Sequence, residues 1–212
     1  MTFDYDVVFS ARRSVSINIS PDNRITVRCP YGYDWRKIEN LLIKKSAWIN
    51  KHLSFNAQLS QLNGDFASYE YILVKGEKLP LVIGEKNVIT PQAVYVKNLK
   101  NLKKLYLGAL LPQFSARFNY FSGITGLKAS SVNFKSYTAR WGCCNVKNEI
   151  IFNYKLLMLD ESLWNYVIVH ELCHIKIHNH SKSFWALVEK FLPQYEKSRK
   201  RLKSFGFITS LY

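Results

Sequence analysis

The sequence predicts an α+β fold: a β-rich amino-terminal part with one helix over residues 1–97, then a more helical part over residues 98–212. Two patterns carry this. Apolar residues first alternate with polar ones in short runs broken by turn residues, as half-buried strands require. Later they recur at spacings of three and four over longer runs, as amphipathic helices require. At 212 residues, with thirteen Tyr, thirteen Phe and five Trp, the chain can bury a real core as one large domain or two small ones.

Val15, Ile17 and Ile19 alternate with polar neighbours, Pro21-Asp22-Asn23 reads as a turn, and Ile25, Val27 and Cys29 resume the alternation, which predicts a hairpin. Asp34 can cap a helix with an apolar stripe of Ile38, Leu41, Leu42, Ala47, Trp48 and Ile49, ending near Leu53. Short strands follow around Tyr69–Lys75, Leu79–Ile83 and Ala93–Val96, separated by Gly64, Gly76 and Gly84. A helix from about Asn98 to Phe121 should kink or split at Pro112. Val132–Phe134 and Glu149–Phe152 read as strands flanking an Arg140-Trp141-Gly142 turn, and Glu149–Phe152 is the candidate edge for an extended substrate backbone, with an ordinary core strand as the alternative. Arg140 reads as a brace for that loop, with contact to a substrate carboxylate or phosphate as the alternative. Asp160 and Glu161 then start a helix with a stripe of Trp164, Ile168, Leu172 and Ile175.

That helix carries the main chemical signal. Four of the chain's five histidines lie between His170 and His180, and the first five residues of this run spell HExxH. Residues four apart share a helix face, so His170 and His174 can present ring nitrogens to one Zn²⁺ at about 2.0–2.1 Å. Glu171 sits beside the first ligand, where its carboxylate can reach a metal-activated water as general base without occupying the metal. A catalytic zinc needs a third protein ligand. His178 continues the series but lies about 12 Å along the axis from His170 on an unbroken helix. His180 is better placed if the helix ends near Ile177 and Asn179, in a left-handed conformation, turns the chain back into a second helix capped by Ser181 and running through Phe184, Trp185, Val188 and Phe191. Glu189 on that second helix is the rival ligand.

The run Arg140-Trp141-Gly142-Cys143-Cys144, the run Ile151-Phe152-Asn153 and the stretch VIVHELCHIKIHNHSKSFW from Val167 to Trp185 resemble the YgjP-like metallopeptidase domain family, a relative of the SprT and WLM metalloproteases. Arg12 to Ile17, Val27 to Pro30 and Lys44 to Ile49 are similar to that family as well. The resemblance implies a zincin-like catalytic part, with a small sheet, an HExxH helix and a third histidine five residues beyond it, here His180. The family commonly has serine where this chain has Cys143.

Bulk properties narrow the setting. The formal charge of +15 is spread along the chain and supports weak non-specific nucleic-acid binding, or simply a soluble basic surface. The densest basic run is Lys197, Arg199, Lys200, Arg201 and Lys203. The four cysteines (Cys29, Cys143, Cys144 and Cys173) do not make a disulfide framework and fit a reducing compartment. No apolar run is long enough for a membrane span and the first residues lack a signal core, so the expectation is a cytoplasmic protein without a membrane partner.

Together these features predict a zinc-dependent metallohydrolase, a metallopeptidase acting on peptides or proteins with one Zn²⁺ on His170, His174 and His180 and Glu171 as base. One alternative keeps the metal but hydrolyses a nucleotide phosphoanhydride; the chain has no GxxxxGK[ST] loop, and three neutral imidazoles suit zinc better than magnesium. The other is a nucleic-acid-associated module with a structural metal, whose closed site would need a fourth protein ligand from Cys143, Cys144 or Glu189.

Overall fold

The computed structural model describes residues 3–20, 23–67 and 69–211, so Pro21 and Asp22 of the expected turn lie outside the described residues. The chain forms two compact units, Met1–Asp65 and Phe66–Tyr212.

In the first unit, β1 (Tyr5–Ser10), β2 (Ser16–Ile19) and β3 (Ile25–Pro30) form a sheet in the order β1-β3-β2. β2 and β3 pair antiparallel with Ile17 opposite Val27, as the alternation predicts. β1, not anticipated from sequence, joins β3 in parallel. Ile25, Val27 and Cys29 are buried in one cluster with Ile38, Leu42 and Ile49. Asp34 caps α1 (Trp35–Lys44) by accepting from Arg36 N at 2.9 Å. The expected single helix breaks at Lys45, whose φ of −102° and ψ of 8° leave the helical region. α2 (Ser46–Ala67) then runs well past Leu53 and takes in Gly64, which therefore separates no strands.

The second unit opens with β4 (Tyr71–Val74), β5 (Glu77–Ile83), β6 (Val88–Ile89) and β7 (Val94–Val96), ordered β4-β5-β7-β6. Their inward residues Ile72, Leu73, Val94 and Val96 share one buried core with the helices that follow. The division expected between residues 97 and 98 would cut through that core; the compact units part between Asp65 and Phe66 instead.

α3 (Leu102–Thr125) passes through Pro112 as one helix. Proline removes one backbone hydrogen bond, but Tyr106 and Leu110 before it and Phe114 and Phe121 after it are all buried, so packing on both sides holds the helix together. α3 ends at Gly126 in the left-handed region (φ 69°), whose N–H returns to Ser122 O at 3.0 Å.

A small sheet follows: β8 (Ser131–Lys135), β9 (Gly142–Cys144) and β10 (Glu149–Asn153), ordered β8-β10-β9. β10 is the central strand, parallel to β8 and antiparallel to β9, with Ile150 and Phe152 fully buried. It is the core strand of the two readings offered by the sequence, and the edge on the motif side is β9. Gly142, expected in a turn, begins β9 opposite Phe152.

α4 (Glu161–His174), α5 (Lys182–Phe191) and α6 (Tyr195–Ser204) close the unit. Asp160 caps α4, accepting from Ser162 N at 3.2 Å. α4 is buried on almost every side, and its Trp164 packs against Phe114 in the aromatic core while donating to Leu156 O at 2.7 Å. Among the described residues no helix is long and apolar enough to cross a membrane.

Candidate metal centre

α4 carries His170 and His174 on one face, and its last turn is where the chain reverses. The helix stops at His174, one turn sooner than Ile177. Asn179 does not adopt the left-handed conformation; its Oδ1 accepts from Ser181 N at 3.2 Å, and that side-chain turn leads into α5. Ser181 occupies the cap position of α5 without a capping hydrogen bond to the helix, its hydroxyl pairing with Ser183 instead.

This path brings His180 back over α4. Nε2 of His170 lies 3.2 Å from Nε2 of His174 and 3.1 Å from Nε2 of His180. Among the described residues these three histidines are the one group of donors close enough together to hold a metal ion. Glu189, Cys143 and Cys144 are not part of it, and His178 is exposed beyond it.

The donor set fits a cation. The separations approach the ~3.3 Å edge of a tetrahedron with zinc–nitrogen bonds of about 2.0–2.1 Å. His174 Nδ1 is 2.9 Å from Ile177 O, a pure acceptor, so Nδ1 carries the proton and Nε2 turns a lone pair into the cluster. Three ring nitrogens converging at this range can share one positive ion. Burial pushes His170 down to about 3, helped by the charges of His174, His180 and Arg199, and burial lowers His174 too, so both rings are neutral.

Two aromatic residues of α5 hold the rings. Phe184 stacks on His174 (4.4 Å, 23°) and meets His170 and His180 edge-on at 5.0 Å each. Trp185 stacks on His180 (5.5 Å, 27°). Sequence reasoning placed both on the second helix without a role at the site; their four- and five-residue offset from His180 on a returning helix was the available signal.

Glu171 points toward β9. The residue is 4% exposed, and its Oε2 is buried without a hydrogen-bond partner. Burial raises its pKa to about 8, with the charge of Arg140 opposing the rise. Gly142 makes room for it: a Cβ there would stand 2.7 Å from Oε1 and 2.9 Å from Cγ of Glu171. Arg140 sits over the Tyr137 ring at 5.6 Å, and Tyr137 Oη lies 3.6 Å from Cys143 Sγ.

The loop before β9 is held by Asn153, whose importance sequence reasoning missed. This fully buried side chain donates to Tyr137 O (2.9 Å) and Arg140 O (3.0 Å). Thr209 Oγ1 lies 2.8 Å from Thr138 O, and buried Lys155 donates to Thr209 O at 2.8 Å, tying the carboxy-terminal turn to the same loop.

The YgjP-like metallopeptidase domain model matches residues 13–205. This chain belongs to the YgjP-like family. Its members are metallopeptidase domains, and the chain is accordingly a metallohydrolase. No curated protein matches it significantly. Among solved structures it is similar to the metallopeptidase zymogen abylysin of Pyrococcus abyssi, with 25% identity, 43% of this chain and 92% of that chain covered, and a TM-score of 0.40. The metallopeptidase zymogen jannalysin of Methanocaldococcus jannaschii is similar at 23% identity, with 42% and 91% covered and a TM-score of 0.37.

Proposed function

We propose that this YgjP-like chain is a zinc-dependent metallopeptidase in which His170, His174 and His180 hold one ion and Glu171 is the general base. The convergence of three imidazoles beside a buried carboxylate whose Oε2 has no protein partner carries this reading. Zinc, when bound, supplies Lewis acidity toward a water and a scissile carbonyl.

The chain's own residues do the rest. His174 is held in one tautomer by Ile177 O, and Phe184 and Trp185 keep the rings facing one another. Glu171 accepts at Oε2 the proton of the attacking water and passes it to the leaving amine nitrogen. A carboxyl raised to about 8 is largely protonated at neutral pH in the bare cleft, and a neighbouring cation favours its ionised form. β9, with one side unpaired in the sheet, offers backbone groups to an extended peptide beside Glu171.

The test pairs metal analysis with peptide hydrolysis in Glu171→Gln. The variant should keep a full complement of zinc and lose at least ~10²-fold in kcat, the usual contribution of a positioned base. Near-normal turnover in that variant would refute the assignment.

A further inference from the structure

A cleft of about 730 Å³ opens from the histidine cluster and is lined by Tyr166, His170, His180, Trp141, Trp185, Arg199 and Lys203, among others. Arg199 and Lys203 are four residues apart on α6 and therefore share its face toward the cleft. Arg201, on another face, is spoken for: it pairs with Asp160 at 2.7 Å. Among the described residues no carboxylate pairs with Arg199 or Lys203.

Arg199 is also not a free surface arm. Its guanidinium lies 4.1 Å over the Trp185 ring, and Trp185 is stacked at 5.4 Å and 12° on Tyr195. The same Trp185 ring stacks on His180 at 5.5 Å. Arg199 therefore stands no more than about 10 Å from the His180 ring, roughly three residues of extended chain at ~3.3–3.6 Å each. A guanidinium held on an aromatic plane keeps its in-plane N–H donors available, and these match a carboxylate's two oxygens.

We propose that Arg199 and Lys203 form a carboxylate-recognition subsite, directing this enzyme to peptides that carry a carboxylate within about three residues of the scissile bond. The proposal rests on the metallopeptidase reading above. An acidic side chain and a free carboxy terminus present the same chemistry. One guanidinium and one ammonium, without a glycine-rich loop, suit one carboxylate better than a polyphosphate.

The experiment uses the zinc-loaded full chain and matched peptide pairs: Glu against Gln near the cleavage site with an amidated terminus, and free against amidated terminus with neutral side chains. The acidic member of at least one pair should have a kcat/KM at least ~10-fold higher, as expected for a charge-assisted hydrogen bond. The pair that responds identifies the source of the carboxylate. Arg199→Gln and Lys203→Gln should each reduce the acid-to-amide ratio, and Lys200→Gln, a charge loss outside the cleft lining, should keep it. Equal cutting of acid and amide members, or a ratio unchanged in both cleft variants, overturns the proposal.

Calorimetry on zinc-loaded Glu171→Gln separates the two ideas. If wild type cuts no peptide, the metallopeptidase reading fails. Tighter binding of acidic peptides that is lost on adding Arg199→Gln still supports the subsite, and equal binding of acid and amide members rejects it. Hydrolysis of nucleoside triphosphates in preference to every peptide rejects both.

Discussion

Gly142 on β9 and Glu171 on α4 are in contact because glycine has no side chain: a methyl group at residue 142 would stand 2.7 Å from Oε1, 2.9 Å from Cγ and 3.0 Å from Cδ of Glu171. Real Cβ atoms do not sit that close, and the clash involves Cγ as well as the carboxylate, so the whole side chain would have to swing. Gly142→Ala should therefore keep the metal and lose at least ~10²-fold in kcat, matching the loss of a positioned base. Zinc stoichiometry and steady-state kinetics on the same preparation check this. Unimpaired turnover would mean that Glu171 tolerates displacement.

The third ligand can be tested directly. His180 Nε2 is 3.1 Å from His170 Nε2, whereas Glu189 is exposed on α5 and outside the donor group. His180→Ala should lower zinc affinity steeply, and Glu189→Ala should leave it unchanged, as measured by competition with a chelating dye. The reverse result would move the site.

Asn153 tests the loop behind Glu171. Its buried amide serves two carbonyls, of Tyr137 and Arg140, and its Oδ1 accepts from Lys155 N at 3.3 Å. Asn153→Ala strands those groups in the interior and should destabilise the fold by about 2–4 kcal/mol in urea unfolding. A change below ~0.5 kcal/mol would show that the loop finds other partners.

Lys155 gives stability a pH dependence on the alkaline side. Burial lowers its pKa from 10.5 in the folded protein. Below that lowered value both states hold the proton and the burial cost is fully present. Between it and 10.5 the unfolded chain binds more protons than the folded one, so this group's contribution to stability rises with pH. The Tm difference between wild type and Lys155→Met should shift in favour of wild type as pH is raised toward 10.5. A pH-independent difference would contradict the burial of a titrating amine.

Local chemistry made much of this protein legible from sequence. Caps at Asp34 and Asp160, the Ile17–Val27 hairpin and the i, i+4 pair His170 and His174 depend on neighbours a few residues away, and each was readable. The family resemblance singled out His180, but the residue pattern by itself left Glu189 open. What brought His180 rather than Glu189 beside His170 was the path of residues 175–181, in which an Asn179 side-chain turn replaced the expected left-handed residue. Tertiary packing also decided the passage of α3 through Pro112, the choice of β9 over β10 as the edge, the contact of Gly142 with Glu171, and the placing of Arg199 over Trp185. Each of these joins residues distant in the chain or weighs a local preference against buried area elsewhere. Periodicity and capping carry no information about such balances, because their energies exist only once the elements have met.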